Sequence, residues 1–87
     1  MFAVIFGQPY CPFCLHLKEI AASLKETNDD FAFRYVDIVA EGLIRSELEK
    51  LAGRSINSFP QVFVDGKYLG GFDAFENYAK AHLGLYQ

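Results

Sequence analysis

The sequence is poor in cysteine, with two residues, and it contains one methionine and no tryptophan among 87 residues. Two cysteines cannot form the framework of several disulfides that holds small secreted domains together, so a reducing, cytoplasmic setting is favoured. No apolar run is long enough to span a membrane, and the N-terminal run lacks the basic start and the cleavage site of a signal peptide. Eight scattered Lys and Arg residues stand against eleven Asp and Glu, so we expect neither a nucleic-acid partner nor a membrane partner.

Apolar side chains, in contrast, are plentiful: they make up 52% of the residues, and nine of them are Phe. A chain of this length buries roughly 60% of the surface that its unfolded form exposes, which is enough to fold without a structural staple. The sequence contains no repeats and no linker-like segment. We therefore expect a single domain over residues 1–87, and we expect it to be a monomer.

The apolar periodicity and the turn signals predict the order strand, helix, strand, helix, hairpin, helix. The predicted strands are Phe2–Phe6, Phe31–Asp37, Gln61–Val64 and Lys67–Leu69. The predicted helices lie at about 12–27, 44–52 and 75–83. A strand–helix–strand unit implies a parallel pair, whereas a hairpin adds an antiparallel one. The expected fold class is therefore α/β, with a thioredoxin-like, four-stranded mixed sheet flanked by three helices.

Three short signals mark where these elements turn or end. Asp65–Gly66 is a strong hairpin signal between the last two strands. Gly53 stands where a glycine would end the second helix. Asp73, followed three residues later by Glu76, resembles a capping box, so we expect Asp73 to be the N-cap of the third helix.

The two cysteines form a Cys11–Pro12–Phe13–Cys14 motif between the first strand and the first helix. At the start of a helix, Cys11 would be exposed and would face amide N–H groups, which favour its thiolate form. Cys14, one turn further, should be more buried. Two thiols at this spacing can close a redox-active disulfide, so thiol–disulfide exchange is the leading hypothesis, with Cys11 and Cys14 as its catalytic residues.

Two other classes of function share the Cys-x-x-Cys spacing. A zinc site needs about four ligands, and only His16 and His82 remain as soft donors at unsuitable positions, so we expect no metal site. An iron–sulfur or zinc module would be revealed by colour or by metal analysis. An electron carrier coupled to thioredoxin reductase would share the fold and the cysteine pair, and an assay of the reductant would distinguish it.

The sequence also resembles the small bacterial dithiol glutaredoxins, which belong to the thioredoxin-like superfamily. The resemblance runs essentially from end to end. It is carried by the segments Val4–Gly7, Cys11–Cys14, Tyr35–Ile38, Ala40–Gly42, Ser58–Asp65 and Gly70–Asp73. The cysteine motif alone would be moderately specific, but its combination with Pro60 and with the glycine pair before the last helix is highly specific.

The resemblance implies a glutathione-disulfide and protein-disulfide oxidoreductase that holds no bound cofactor and uses glutathione as a co-substrate. Its partners would be disulfide-bearing or glutathionylated proteins, with ribonucleotide reductase among those that the resemblance suggests. It also implies that the Phe59–Pro60 bond is cis and that backbone there pairs with glutathione. The implied glutathione contacts are Phe13, Lys18, Ser58, Phe59, Pro60, Gly71, Phe72 and Asp73.

Several positions depart from the family pattern. Ser58–Phe59–Pro60 stands where relatives carry Thr-Val-Pro, a change that should be tolerable because the role proposed for position 59 belongs to its backbone. Gln8 stands where a basic residue is frequent, which leaves Lys18 as the nearest cation along the helix. Phe13 keeps the ring of the usual Tyr but lacks its hydroxyl. Ala74 stands where relatives carry an acidic residue that would face the free amino group of the γ-glutamyl moiety.

Overall fold

The computed structural model describes residues 1–87 as four strands and three helices. The strands are β1 (Phe2–Gly7), β2 (Ala32–Asp37), β3 (Gln61–Val64) and β4 (Lys67–Gly70). The helices are α1 (Pro12–Thr27), α2 (Arg45–Ala52) and α3 (Phe72–His82). None of these helices combines the length and the apolar character needed to cross a membrane.

The four strands form one mixed sheet in the order β2-β1-β3-β4. β1 pairs with β2 in parallel and with β3 in an antiparallel manner, so that Ile5 lies between Tyr35 and Val62. β3 and β4 form an antiparallel hairpin, with an irregular register between Val62 and Phe63. The expected mixed sheet with three helices is confirmed.

The alternation of side chains along β1 divides the apolar residues between the two faces of the sheet. Ala3 and Ile5 point to the main core, in which they pack with residues of α1 and α3 such as Leu17 and Phe75. Phe6 points to the opposite face and packs against a smaller cluster that contains Leu48 of α2. The helices α1 and α3 therefore cover one face of the sheet, and α2 covers the other.

Two of the three local signals work as expected. Asp65 and Gly66 have φ angles of 50° and 81°, the positive values that a tight two-residue hairpin turn requires. The Asp65 carboxylate also accepts a hydrogen bond from the Phe2 amide at 2.8 Å, which ties the hairpin to β1. Gly53 ends α2 in the left-handed conformation, with φ 73°.

The third signal is wrong, because α3 begins earlier than the capping pattern indicates. Gly71, and not Asp73, is the N-cap, and the Phe75 amide donates to the Gly71 carbonyl at 3.1 Å. The physical reason is tertiary packing: Phe72 lies against the rings of Phe13 and His16, which draws the start of the helix toward α1. Asp73 therefore lies in the first turn of α3, exposed and without a capping hydrogen bond.

Tyr35 is a half-buried residue of β2 whose ring lies beneath α1. The Lys18 Nζ atom is 4.9 Å from the centroid of this ring. Burial, with the negative charge of Asp37 as a second cause, raises the pKa of Tyr35 above its ordinary value of 10.0. The phenol therefore holds its proton more tightly in the folded chain than in the unfolded chain.

We expect this difference to make the fold sensitive to alkaline pH. The stabilisation from Tyr35 is present in full below about pH 10 and is lost as the pH rises above that value, because the unfolded chain releases the proton first. Tyr35→Phe should therefore flatten the fall in the free energy of unfolding between about pH 9 and pH 11, measured by urea denaturation. Tyr10→Phe, at a fully exposed tyrosine, is the control, and equal falls in both variants would contradict the expectation.

Candidate active site

Cys11 and Cys14 lie in the first turn of α1 and are joined by a disulfide, with their Cα atoms 5.2 Å apart. Cys11 is the N-cap residue, and its Sγ accepts a hydrogen bond from the Cys14 amide at 3.1 Å. Pro12 occupies the start of the helix, where its missing N–H costs no intrahelical bond. The helix therefore directs an amide at the sulfur of Cys11, as the sequence predicts.

The exposure of Cys11 differs from the expectation. Cys11 is 8% exposed and Cys14 is 0% exposed, so the first sulfur is the more accessible one but is not an exposed group. Two neighbours cover it: the Cys14 sulfur on the inner side and the Phe59 carbonyl oxygen, 3.8 Å from the Cys11 sulfur. An incoming thiol can therefore reach Cys11 only over a narrow surface, and it cannot reach Cys14 directly.

The segment before β3 presents backbone to the cysteine pair. The Phe59–Pro60 bond is cis, as expected, and Pro60 is buried. The segment is anchored from below by Gln61, whose side-chain amide donates to the Ser58 carbonyl at 2.8 Å. The side-chain oxygen of Gln61 in turn accepts a hydrogen bond from the hydroxyl of Tyr68 in β4. Both polar atoms of this buried side chain are therefore hydrogen-bonded, and they fix the segment to the sheet.

A cleft of about 390 Å³ lies between three parts of the chain: the first turn of α1, the segment before β3, and the start of α3. Its lining residues are Phe13, Ser58, Phe59, Pro60, Gly71, Phe72, Asp73 and Ala74. The structure thus brings together every glutathione contact that the resemblance implies except Lys18. These residues are far apart in sequence, and the fold alone makes them neighbours.

The two glycines at the start of α3 differ in how much room they leave for a side chain. Gly70 has a φ of 139°, and a Cβ atom on it would lie 2.7 Å from the Cβ of Ala74. A Cβ on Gly71 would lie 3.4 Å from the Pro60 carbonyl oxygen. Any larger side chain at Gly70 would force the first turn of α3 away, so the width of the cleft depends on this glycine.

The polar character of the cleft comes from α3. The first amides of a helix have no intrahelical acceptor, and together with the helix dipole they attract an anion. Asp73 is the one charged side chain among the lining residues, and it lies in this same turn. The cleft therefore offers amide donors and a carboxylate side by side, a combination that suits a ligand with one carboxylate and one ammonium group.

An aromatic contact joins the two helices that border the cleft. The ring of Phe72 lies 5.4 Å from that of Phe13 and 5.3 Å from that of His16, between centroids. His16 is exposed, yet its ring also packs on Phe72. No signal in the sequence paired these residues, because they meet only when α1 and α3 pack on the same face of the sheet.

Lys18 and Ala74 are the two positions at which the ligand contacts implied by the family resemblance differ from the residues that line the cleft. Lys18 lies over Tyr35 and does not line the cleft, so it is not among the proposed ligand contacts. Ala74 lines the cleft at the position where the family pattern has an acidic residue. No three His, Cys, Asp or Glu side chains come together as a metal-binding group.

Comparison with known proteins identifies the family. Residues 3–69 match the family model described as Glutaredoxin. A glutaredoxin of Vibrio cholerae is 51% identical over 86 residues, and Glutaredoxin 1 of Salmonella typhimurium is 49% identical over 86 residues, with 99% of each chain covered in both cases. The structure of reduced Escherichia coli glutaredoxin is similar, with a TM-score of 0.88 and 40% identity over 97% of this chain and 99% of that chain. The thioredoxin-like fold is thereby confirmed.

The hydrogen bond to Cys11 leads to a prediction about thiol reactivity in the reduced protein. Cys11 should be alkylated at lower pH than Cys14, because only the Cys11 sulfur accepts an amide at the helix N-terminus. The measurement is the rate of iodoacetamide labelling against pH, with peptide mapping to separate the two sites. Cys14→Ser isolates Cys11, and a labelling midpoint near the value of a free thiol, about 8.5, would contradict the electrostatic role of the helix.

Proposed function

This chain belongs to the glutaredoxin family of thiol–disulfide oxidoreductases, and we propose that it uses glutathione as co-substrate to reduce protein disulfides and glutathionylated thiols. The observation that carries the proposal is the cleft beside the cysteine pair. It adjoins the first turn of α1 and combines the α3 amides, a carboxylate and the open backbone before β3. Glutathione is a short peptide that carries groups complementary to all three.

The first chemical step belongs to Cys11. In the reduced protein its thiolate attacks one sulfur of a substrate disulfide; a new S–S bond forms, and the other substrate sulfur leaves as a thiolate that takes up a proton. The Cys14 amide stabilises negative charge on the Cys11 sulfur before the attack. The same hydrogen bond makes Cys11 a good leaving group at the end of the cycle, when glutathione attacks the glutathione sulfur of a Cys11–glutathione disulfide and the Cys11 thiolate is displaced, because displacement of a low-pKa thiolate is faster.

The second step belongs to Cys14, which lies 5.2 Å away between Cα atoms and is held in the same helical turn. Its thiolate attacks the sulfur of Cys11, releases the substrate thiol, and closes the Cys11–Cys14 disulfide that the structure contains. Two glutathione molecules then restore the dithiol and leave as glutathione disulfide. Because Cys14 is fully buried, we assign the first glutathione attack to the sulfur of Cys11.

The cleft residues divide the recognition of glutathione between backbone and side chains. We assign the backbone at Phe59, just before β3, to the cysteinyl part, since backbone outside the sheet ladder can pair with a peptide as an extra short strand. The carboxylate of the γ-glutamyl moiety would lie at the first amides of α3, and the ammonium group of the same moiety would lie beside Asp73. Phe13 and Phe72 would form the apolar walls.

The proposal also includes a cellular compartment and a protein substrate. A reducing cytoplasm would keep the cysteine pair supplied with glutathione, and the chain has only these two cysteines. Ribonucleotide reductase is a substrate that the family resemblance suggests, and regeneration of that enzyme by the reduced chain would test it. A carrier served by thioredoxin reductase is the alternative, and it would not need the cleft formed by Gly71 and Asp73.

The experiment that tests the function couples substrate reduction to glutathione and glutathione reductase, with thioredoxin reductase as the alternative reductant. Cys14→Ser should keep activity on a glutathionylated small thiol and lose most reduction of a protein disulfide, because only the second reaction needs an internal resolving thiol. Cys11→Ser should abolish both activities. Activity that survives in Cys11→Ser, or reduction by thioredoxin reductase alone, would refute the proposed roles.

A second prediction concerns the charge of the cleft. Asp73→Asn should raise the KM for glutathione about 1.4- to 5-fold, and Ala74→Asp should lower it by a similar factor, as expected for a partly exposed ion pair worth about 0.2–1 kcal/mol. Both effects should be larger on KM than on kcat and should shrink at high salt.

The matched control for this charge prediction is Ala74→Asn, which adds the same bulk without charge next to Gly70. If Ala74→Asn lowers KM as much as Ala74→Asp, the effect is steric. If none of the three variants changes KM at low ionic strength, the ammonium group of glutathione does not lie beside the first turn of α3.

A further inference from the structure

Three residues other than glycine have positive φ angles: Tyr10 at 59°, Asp65 at 50° and Tyr86 at 65°. This conformation is unfavourable for a bulky side chain, because its Cβ atom comes too close to the following carbonyl oxygen. Such residues persist when the surrounding structure holds them in place, and they occur often at functional sites. The contacts of each of the three residues are therefore informative.

Two of the three have partners inside the chain. The Asp65 carboxylate accepts the Phe2 amide at 2.8 Å. The Tyr86 hydroxyl donates to the Glu76 carboxylate at 3.0 Å, and the Lys80 ammonium lies 5.4 Å from the Tyr86 ring centroid. These contacts offset the unfavourable backbone conformation at both positions.

Tyr10 has no such partner. Its side chain makes no hydrogen bond, no aromatic contact and no cation–π contact, and it is 102% exposed, more than any other large hydrophobic residue of the chain. A single exposed apolar side chain is ordinary on a protein surface. An exposed aromatic side chain that is also held in an unfavourable backbone conformation, directly before Cys11, is not ordinary. Nothing within the folded chain accounts for a tyrosine here.

The surroundings of Tyr10 indicate what kind of partner would meet it. Phe13 and Leu15 are also largely exposed, at 62% and 58%. Residues 1–17 contain no Asp, Glu, Lys or Arg, so the side chains that this stretch places around the disulfide are free of acidic and strongly basic groups. Tyr10 is also absent from the residues that line the cleft. A partner that met this ring would therefore have to extend beyond the cleft and present an apolar surface.

We propose that Tyr10 is a docking residue for the polypeptide of protein substrates, and that its ring packs against apolar side chains next to the target cysteine. This inference goes beyond the use of glutathione and does not depend on it, because it concerns the substrate side of the exchange. Tyr10 contributes to specificity by favouring disulfides whose flanking residues are apolar over small disulfides without a chain.

The test uses the reduced dithiol alone, with no glutathione present. The chain is reduced, freed of reductant and mixed with a decapeptide whose single cysteine forms a disulfide with 2-mercaptoethanol. Cys11 attacks the disulfide, Cys14 closes the internal disulfide, and the peptide and 2-mercaptoethanol both leave as thiols, so one dithiol is oxidised for each disulfide reduced. Second-order rate constants are measured by alkylation quenching for a peptide with Leu and Val flanks, one with Gly and Ser flanks, and the disulfide of 2-mercaptoethanol itself.

In Tyr10→Gly, the ratio of the rate constant for the apolar peptide to that for the small disulfide should fall roughly 2- to 13-fold, the effect of losing one aromatic contact. The corresponding ratio for the Gly/Ser peptide should fall less. Tyr10→Phe should behave like the parent chain because it keeps the ring. Tyr86→Gly is the matched control, since it removes an exposed tyrosine at positive φ outside the active site and should leave the ratios unchanged.

Other outcomes would overturn the proposal. An unchanged ratio in Tyr10→Gly, or equal losses on both peptides, would mean that Tyr10 makes no apolar contact with substrate. A larger fall in Tm in Tyr10→Gly than in Tyr86→Gly would show that the Tyr10 ring has a structural role, because both changes add the same freedom to the unfolded chain. A shift in sedimentation of the parent chain with concentration, absent in Tyr10→Gly, would assign the ring to contact with a second copy instead.

Discussion

The position of β1 inside the sheet is the constraint on which the rest of the structure depends. β1 is hydrogen-bonded to β2 on one side and to β3 on the other, and its side chains alternate between the main core and the α2 face. Its last residue, Gly7, leads after a short turn into α1, so the end of an interior strand fixes where the cysteine pair stands. β3 pairs with the same strand and brings Pro60 to that edge.

The site is assembled by the same pairing. α1 and α3 pack on one face of the sheet, so their first turns lie close together, and Phe72 fills the space between them with Phe13. Gly70 lets β4 lead directly into α3, because it has no side chain to collide with Ala74. One helix start therefore carries the cysteine pair, and the start of a second places amides and a carboxylate in the adjoining cleft. The sheet on which both helices pack sets the distance between these two helix N-termini.

Much of the fold and of the site could be predicted, because it depends on residues that are close together in the sequence. Once the segment is helical, the spacing of Cys11 and Cys14 places both in one turn, and their proximity needs no contact from elsewhere in the chain. The Asp65–Gly66 pair sets a hairpin because its backbone conformation requires such residues. Apolar periodicity gave the helices and strands within a few residues, and the family resemblance named a set of ligand contacts.

The sequence by itself thus determined the order of elements, the reactive pair and the turn between β3 and β4, since each depends on residues that are near neighbours. Tertiary packing decided what local signals could not. Phe72 packs on α1, so α3 begins before Asp73, and the carboxylate of Asp73 is left free in the cleft. Lys18 lies over Tyr35 rather than beside the cleft, and Cys11 is covered by a carbonyl from a distant segment. These three positions depend on which faces of the helices contact the sheet and one another, and those contacts form only when the helices pack on the sheet.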